Sequence, residues 1–426
     1  MRVLVLATRF PGGRKSGRKA VIATILRSLV DLGHHVELGV VAKDESDPGA
    51  RVPADLTALP VHRLEPPPLV RVAWNAASRF PRRRMSLNEC LYFSPRLRRD
   101  VAELIAARDY ELAIADTIRL TAVLAGTPPA LIVDFDDLLS SRYAALEDAG
   151  GSPEALLGYF ARSQPRFLIP PAAAVAARAL RRESSVLRER EVAVARAADA
   201  VSLVGTSEAA ELQRRAGVPV ACLPMAVPVS GPPAPVERNP GHRFACLGGM
   251  DFQANLASLR WFAAEILPVI RQRLADFELD MIGFCPDHVR AELTRPGLSF
   301  SGYVDDLAGE LRSYRGFVAP INMGTGVKTK VLDAMAAGLP VISTPLGVAG
   351  LDVEDGRQCL IARDPAGFAA AVERLSRHPG EAATIGSEAR ALVVRSFAPE
   401  VIAERWRDVI ASVTDSRTSS GDGHAG

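Results

Sequence analysis

At 426 residues, with 48% hydrophobic and 23% charged side chains, the chain has material for two or three globular domains and none of the bias of a disordered or fibrous protein. A formal net charge of +2 selects no partner by bulk electrostatics, although residues 1–230 carry +6 and the remainder −4. The five cysteines (Cys90, Cys222, Cys246, Cys285, Cys359) are scattered and never form a C-x-x-C pair, which argues against a disulfide framework or zinc site and for a reducing cytosol.

The first element is a short buried strand, Val3–Ala7, too brief for a signal-peptide core. No apolar run along the chain approaches the roughly 18 residues of a membrane span, so a cytoplasmic protein, at most peripheral to a membrane, is expected. The loop Thr8–Gly17 carries Gly12, Gly13 and basic residues. An amphipathic helix follows, with Val21, Ile22, Ile25, Leu26 and Leu29 on its apolar stripe, and His35–Val41 is the next strand. This is a βαβ unit, but its glycines lack the G-x-G-x-x-G spacing of a dinucleotide site. His34 and His35 read as turn residues.

Residues 44–100 read as irregular and rich in proline and arginine. Arg79–Arg84 with Trp74 and Phe80 is either a solvated basic loop or a contact for anionic lipid headgroups or a phosphate-bearing acceptor. No nucleic-acid motif accompanies it. Short strands follow at Glu111–Ala115 and Ala130–Val133. The second runs into Asp134-Phe-Asp136-Asp137 at the sheet edge where ligands sit in open α/β folds, so Asp136 is a candidate site residue. Asp137 is either a second one or the cap of a helix toward Tyr143. A long helix over 172–198, a strand at Ala200–Val204, a helix to Ala216 capped by Ser207, and a strand at Val218–Leu223 complete the first domain, 1–225.

Residues 226–242, with six prolines in 224–240, read as a semi-rigid linker. The βα alternation then restarts over 243–396, with strands at Arg243–Leu247, Phe277–Ile282, Leu298–Ser301, Gly316–Ile321, Pro340–Ser343 and Gln358–Ile361, and a helix Leu256–Arg273. The fold class is therefore α/β, with two Rossmann-like, doubly wound parallel-sheet domains. A last helix, Pro399–Val413 within the segment 397–414, precedes a polar tail, 415–426, of disordered composition.

The stretch Ala319–Thr344 is the most informative. A buried strand passes through Gly324-Thr325-Gly326 into a helix starting near Val327, which Gly338 and Pro340 end before the next strand. A glycine loop feeding a helix N-terminus aims backbone N–H groups at an anion. Lys328 and Lys330 add two full charges where the helix dipole disfavours cations, which makes sense for a multiply anionic ligand.

Together the two halves, the proline linker, and the phrases Gly248-Gly-Met-Asp-Phe-Gln-Ala-Asn255, Phe300-Ser-Gly-Tyr-Val-Asp-Asp306 and Gly324–Gly338 resemble the GT-B fold glycosyltransferases of the retaining group-1 (family four) branch, in a bacterial polysaccharide-type subgroup. The match is specific over 243–351 and loose over 1–230. The resemblance implies a cleft between the domains, an N-terminal domain for the acceptor, a C-terminal domain for a nucleotide-diphospho-sugar, and a final helix returning to the first domain with Trp406 as anchor. It places the ribose on Asp333, the diphosphate on Gly324–Gly326 with Lys328 or Lys330, the base near Gly302, Tyr303 and Val304 with Gly283 close by, and donor-sugar hydroxyls at the backbone of Asn322–Thr325. Gly249 lies on the donor side, Gly12 and Gly13 match the glycine loop of the first domain, and Asp136 stands where many members have a histidine near the reacting centre.

The family's two glutamates, eight positions apart, are Thr325 and Asp333 here. Its Arg and Lys after the first strand of the second domain are absent, with Gly249 and Gln253 in that region, and Lys328 and Lys330 restore the positive charge. The expected reaction is retaining transfer of a sugar to an acceptor hydroxyl on a glycan, lipid-linked or small molecule in bacterial glycan or glycoconjugate biosynthesis. Neither metal nor other cofactor is expected, because the lysines face the diphosphate while Asp134-Phe-Asp136 lies in the other domain. The alternatives are another GT-B enzyme, such as a nucleotide-sugar epimerase or an inverting transferase, and a non-catalytic protein that binds a sugar nucleotide or supports a partner enzyme.

Overall fold

The computed structural model describes residues 1–12, 17–42, 52–126, 130–148, 172–235, 241–324 and 326–421. The chain divides into two compact units, Met1–Met225 with Ala403–Gly426, and Ala226–Ile402.

Unit 1 is built on seven parallel strands: β1 (Arg2–Ala7), β2 (His35–Val41), β3 (Val61–Leu64), β4 (Leu112–Asp116), β5 (Leu131–Asp134), β6 (Ala200–Leu203) and β7 (Ala221–Cys222), in the order β3-β2-β1-β4-β5-β6-β7. The central strands are buried on both faces, as their continuous apolar sequences require. The Gly17–Asp31 helix buries Val21, Ile22, Ile25, Leu26 and Leu29 as its stripe predicts.

The segment expected to be irregular contains β3 and helices at Leu69–Ser78, Leu87–Cys90 and Pro95–Ala106. Strand β3 was hidden because Val61-His-Arg-Leu64 is a half-exposed sheet edge without an apolar run. Two further expectations are corrected. The Thr206–Ala216 helix is entered through Gly205 rather than capped by Ser207, and of the strand expected at Val218–Leu223 only Ala221–Cys222 pairs.

Unit 2 carries six parallel strands: β8 (Arg243–Leu247), β9 (Glu278–Ile282), β10 (Leu298–Gly302), β11 (Gly316–Ala319), β12 (Val341–Ser343) and β13 (Leu360–Ile361), ordered β10-β9-β8-β11-β12-β13. The helix expected at Leu256–Arg273 begins at Gln253 and contains a π-helical turn, Phe262–Ile266, which ends two residues before Pro268. The proline-rich segment is laid down on unit 2: Ala234 donates its N–H to Ala337 O (2.8 Å), and Arg390 donates to Gly231 O (2.7 Å). The terminal helix runs Pro399–Gly421, past the expected end at Val413. From Ala403 it belongs to unit 1, with Trp406 only 1% exposed.

Candidate functional site

In unit 2 the strand order reverses between β8 and β11, the place where open parallel sheets bind ligands. Gly248 (φ 149°) and Gly283 (φ 134°) end β8 and β9 in conformations that favour glycine. Gly248 donates to Ile282 O (3.0 Å) and Gly283 donates to Gly302 O (2.7 Å). A Cβ on Gly283 would sit 2.5 Å from Gly248 O, so the three loops are packed backbone to backbone. This joins the predicted positions Gly249, Gly302, Tyr303 and Val304 along one sheet edge.

The fourth loop leaves β11 through Asn322 and Gly324 (φ 103°) to Gly326 (φ 73°). The helix behind it is Thr329–Ala336, two residues later than expected, with Lys328 at its N-cap and no side chain capping the N-terminus. Val331, Leu332, Met335 and Ala336 are buried, which fixes the helix on the sheet. Half-buried Asp333 lies one turn in. Thr325 is outside the described residues.

Neither lysine is left simply in solvent. Lys328 Nζ folds over the loop, donating to Gly326 O (2.6 Å) and Gly324 O (3.3 Å). Lys330 Nζ turns inward and donates to Asn255 Oδ1 (2.6 Å), while Asn255 Nδ2 donates to Gly249 O (3.0 Å). A cation beside a helix N-terminus gains by finding oxygen acceptors, and each lysine has done so. The Lys330–Asn255 pair ties the loop after β8 to the helix after β11, beside a cavity of about 10 Å³ that Cys246, Met250, Ser258 and Ile321 also line. That is room for one water. Burial pushes the Lys330 ammonium below the ordinary lysine range. Asn322 accepts from Ser258 Oγ (3.1 Å), which anchors the start of the loop.

Of the apolar rim to this edge, the sequence pointed only to Tyr303. Phe252 (60% exposed), Phe284 (42%), Tyr303 (75%) and Met323 (38%) follow β8, β9, β10 and β11 respectively. The legible signal was a large apolar residue within five positions of each strand end, which a closed core does not need. Flat faces of this kind stack on aromatic rings.

Unit 1 has its own charged edge beside the β1–β4 reversal. Arg18, buried at the start of its helix, pairs with Asp116 at the end of β4, with Asp134 at the end of β5 (2.7 Å) and with Asp136 (3.5 Å). Asp116 also accepts from Thr8 N (2.9 Å) and Oγ1 (2.8 Å), and Asp134 from Ser202 Oγ (2.9 Å). Burial works against the Arg18 charge, but Asp116, Asp136 and Asp134 outweigh it and raise its pKa. Arg18 and Asp116 were not foreseen, since they lie 98 residues apart in the chain. Gly12 is buried, and its carbonyl accepts from Lys19 Nζ (3.0 Å); Gly13 is outside the described residues.

Asp136 has φ 68°, a strained value for a non-glycine residue, and a side chain 22% exposed. Burial, opposed by Arg18 and helped by Asp137 and Asp134, pushes its carboxyl up to about 6. Asp137 is held by Arg142 (2.7 Å), which favours a structural role for it. Glu208 accepts from Leu138 N (3.2 Å), and burial followed by the charge of Asp137 pushes it up to about 7.

A carboxyl raised in the folded state stabilises below its unfolded pKa, and that contribution is lost as pH climbs through the folded value. Between pH 5 and 8, wild type is therefore expected to lose about 2 kcal/mol more than Glu208→Gln. Urea midpoints at the two pH values measure this, and parallel losses would refute it.

Residues 241–378 match the family model described as "Glycosyl transferases group 1". An "Uncharacterized 44.6 kDa protein in cps region" of Klebsiella pneumoniae is 29% identical over 141 residues, which is 31% of this chain and 36% of that relative. Thus the match spans about a third of that protein. Among solved structures, sucrose-phosphate synthase from Thermosynechococcus elongatus aligns over 98% of this chain and 100% of its own, at 18% identity and TM-score 0.68. Anabaena HepE in complex with UDP-glucose aligns over 96% and 99%, at 13% identity and TM-score 0.63. At such identities the structural likeness carries the fold. Residues 241–378 thus match a group 1 glycosyltransferase domain, and the chain as a whole has the GT-B fold.

Proposed function

We propose that the protein transfers a sugar from a nucleotide-diphospho-sugar to an acceptor hydroxyl, with retention at the anomeric carbon and without a metal ion. The observation that carries this is the uncapped N-terminus of the Thr329–Ala336 helix, set behind Gly324 and Gly326 at the strand-order reversal and bordered by two lysines. As the glycosidic bond breaks, charge accumulates on the leaving diphosphate. Fixed N–H groups, with Lys328 and Lys330, favour that state over the ground state.

Asp333 takes the ribose hydroxyls one turn further on. The base rests near Gly302, Tyr303 and Val304, and the exposed rings of Tyr303, Phe252 and Phe284 offer stacking faces. The acceptor falls to unit 1, where Asp136 and Gly12 stand at the sheet edge. The HepE complex with UDP-glucose supports a uridine nucleotide as the donor, and the cps-region relative supports a role in bacterial glycan biosynthesis.

A thermal-shift screen with UDP-, GDP- and ADP-sugars tests the reading, because a ligand of the folded state raises the melting point by mass action. One nucleotide class is expected to raise it in the presence of chelator, and no shift with any of them would count against the assignment. Calorimetry should then show Asp333→Ala weakening nucleoside-diphosphate binding about tenfold, as loss of a charge-assisted hydrogen bond predicts. Unchanged affinity would refute the ribose role.

A further inference from the structure

Ten large apolar side chains are exposed among the described residues. Four rim the candidate donor site, and three others, Val30, Leu346 and Val394, are scattered along the chain. The remaining three, Leu69 (54%), Val70 (83%) and Trp74 (63%), share the ten-residue helix Leu69–Ser78 of unit 1. At 100° per residue, Leu69, Val70, Ala73, Trp74 and Ala77 fall on one outward face, and all five are exposed.

The inward position is polar. Asn75 is 1% exposed, and its Nδ2 donates to Phe93 O (2.7 Å) and Cys90 O (3.3 Å), which clamps the helix to the chain beneath it. The usual arrangement, apolar in and polar out, is inverted here. An apolar face that the fold leaves outside while anchoring its reverse side is built to meet something.

Its border identifies the occupant. Arg71 flanks the face, and Arg82 and Arg84 follow the helix; all three are exposed. Among the described residues Arg71 and Arg84 make no ion pair, and Arg82 donates to the carbonyl of Ser78 (2.6 Å). Arg83 is spent on Glu189, and Arg79 stacks over Phe93 (4.7 Å). A single convex helix with tryptophan and aliphatic residues outward and arginines along its edge complements an apolar layer beneath a sheet of negative charge.

We propose that the Leu69–Ser78 helix is an interfacial helix that seats unit 1 on an anionic lipid bilayer, with Leu69, Val70 and Trp74 in the headgroup–acyl boundary and Arg71, Arg82 and Arg84 on lipid phosphates. This goes beyond the transfer reaction and stands whether or not the donor assignment holds.

Co-sedimentation of the full chain with phosphatidylcholine vesicles, with and without a third phosphatidylglycerol, tests it. Binding is expected to the anionic vesicles only and to weaken as salt is raised. Arg71→Ala is expected to lower partitioning about fivefold. The double variant Val70→Glu, Trp74→Glu should abolish it while keeping the wild-type melting temperature, since both side chains are exposed. That variant should also keep any nucleotide-sugar melting shift, which separates this proposal from the donor site. Wild type that ignores anionic vesicles, or a double variant that binds like wild type, would overturn the proposal. So would a self-association that the double variant dissolves in the absence of vesicle binding.

Discussion

Replacing Arg18 by methionine is expected to destabilise unit 1 by about 3–5 kcal/mol, the largest stability effect foreseen for a single substitution in this chain. The reason lies in what is left behind. Asp116 and Asp134 are 1% and 0% exposed, and Arg18 is the cation between them. Their environments already differ: burial works to raise both, yet Arg18, helped by the Thr8 donors and Arg9, prevails at Asp116, whose pKa falls, while burial prevails at Asp134, whose pKa rises. Without the guanidinium, Asp116 must protonate or draw in water at a cost the folded state bears.

The deficit is therefore expected to shrink as pH falls. Arg18→Met combined with Asp116→Asn and Asp134→Asn should recover at least half of it, because no buried charge then lacks its partner. Urea denaturation followed through the unit 1 transition measures both. A loss under about 1 kcal/mol for the single variant would mean that the acids find other partners.

The largest effect on activity is expected from Lys330→Ala, at least tenfold in turnover and about a hundredfold if its ammonium meets the leaving diphosphate directly. The structure gives this lysine two distinguishable roles. It braces the loop after β8 through Asn255, and it places a desolvated positive charge beside the helix N-terminus, where the proposed diphosphate would interact with it more strongly than in bulk water.

Asn255→Ala removes the brace and keeps the charge. If the charge matters, Lys330→Ala will be far more damaging to turnover than Asn255→Ala, and Lys328→Ala will fall between, since its Nζ lies on the carbonyls of the loop itself. Equal losses for the two bracing partners would reduce Lys330 to a structural post. Wild-type kinetics for Lys330→Ala would remove it from the site.

The sequence placed the central strands within a residue or two, because buried parallel strands such as Val3–Ala7 and Gly316–Ala319 must be apolar throughout. It also found the glycine loop and helix at 324–336, since glycine, proline and apolar periodicity mark such a unit locally. Strand β3 and the outward-facing Leu69–Ser78 helix escaped it. One is a half-exposed edge, and the other inverts the rule by which apolar stripes are assigned to cores.

What the sequence by itself determined was the alternation of strands and helices, the loop, and the residue types able to meet a diphosphate; each is written in a few consecutive residues. Only the tertiary structure decided that Arg18 is shared among Asp116, Asp134 and Asp136, that Lys330 faces Asn255 rather than solvent, and that Phe252, Phe284, Tyr303 and Met323 border one sheet edge. The physical reason is that a charge selects partners by distance in space. In a parallel sheet the neighbouring strand ends lie tens of residues apart along the chain, so no local pattern records which of them meet.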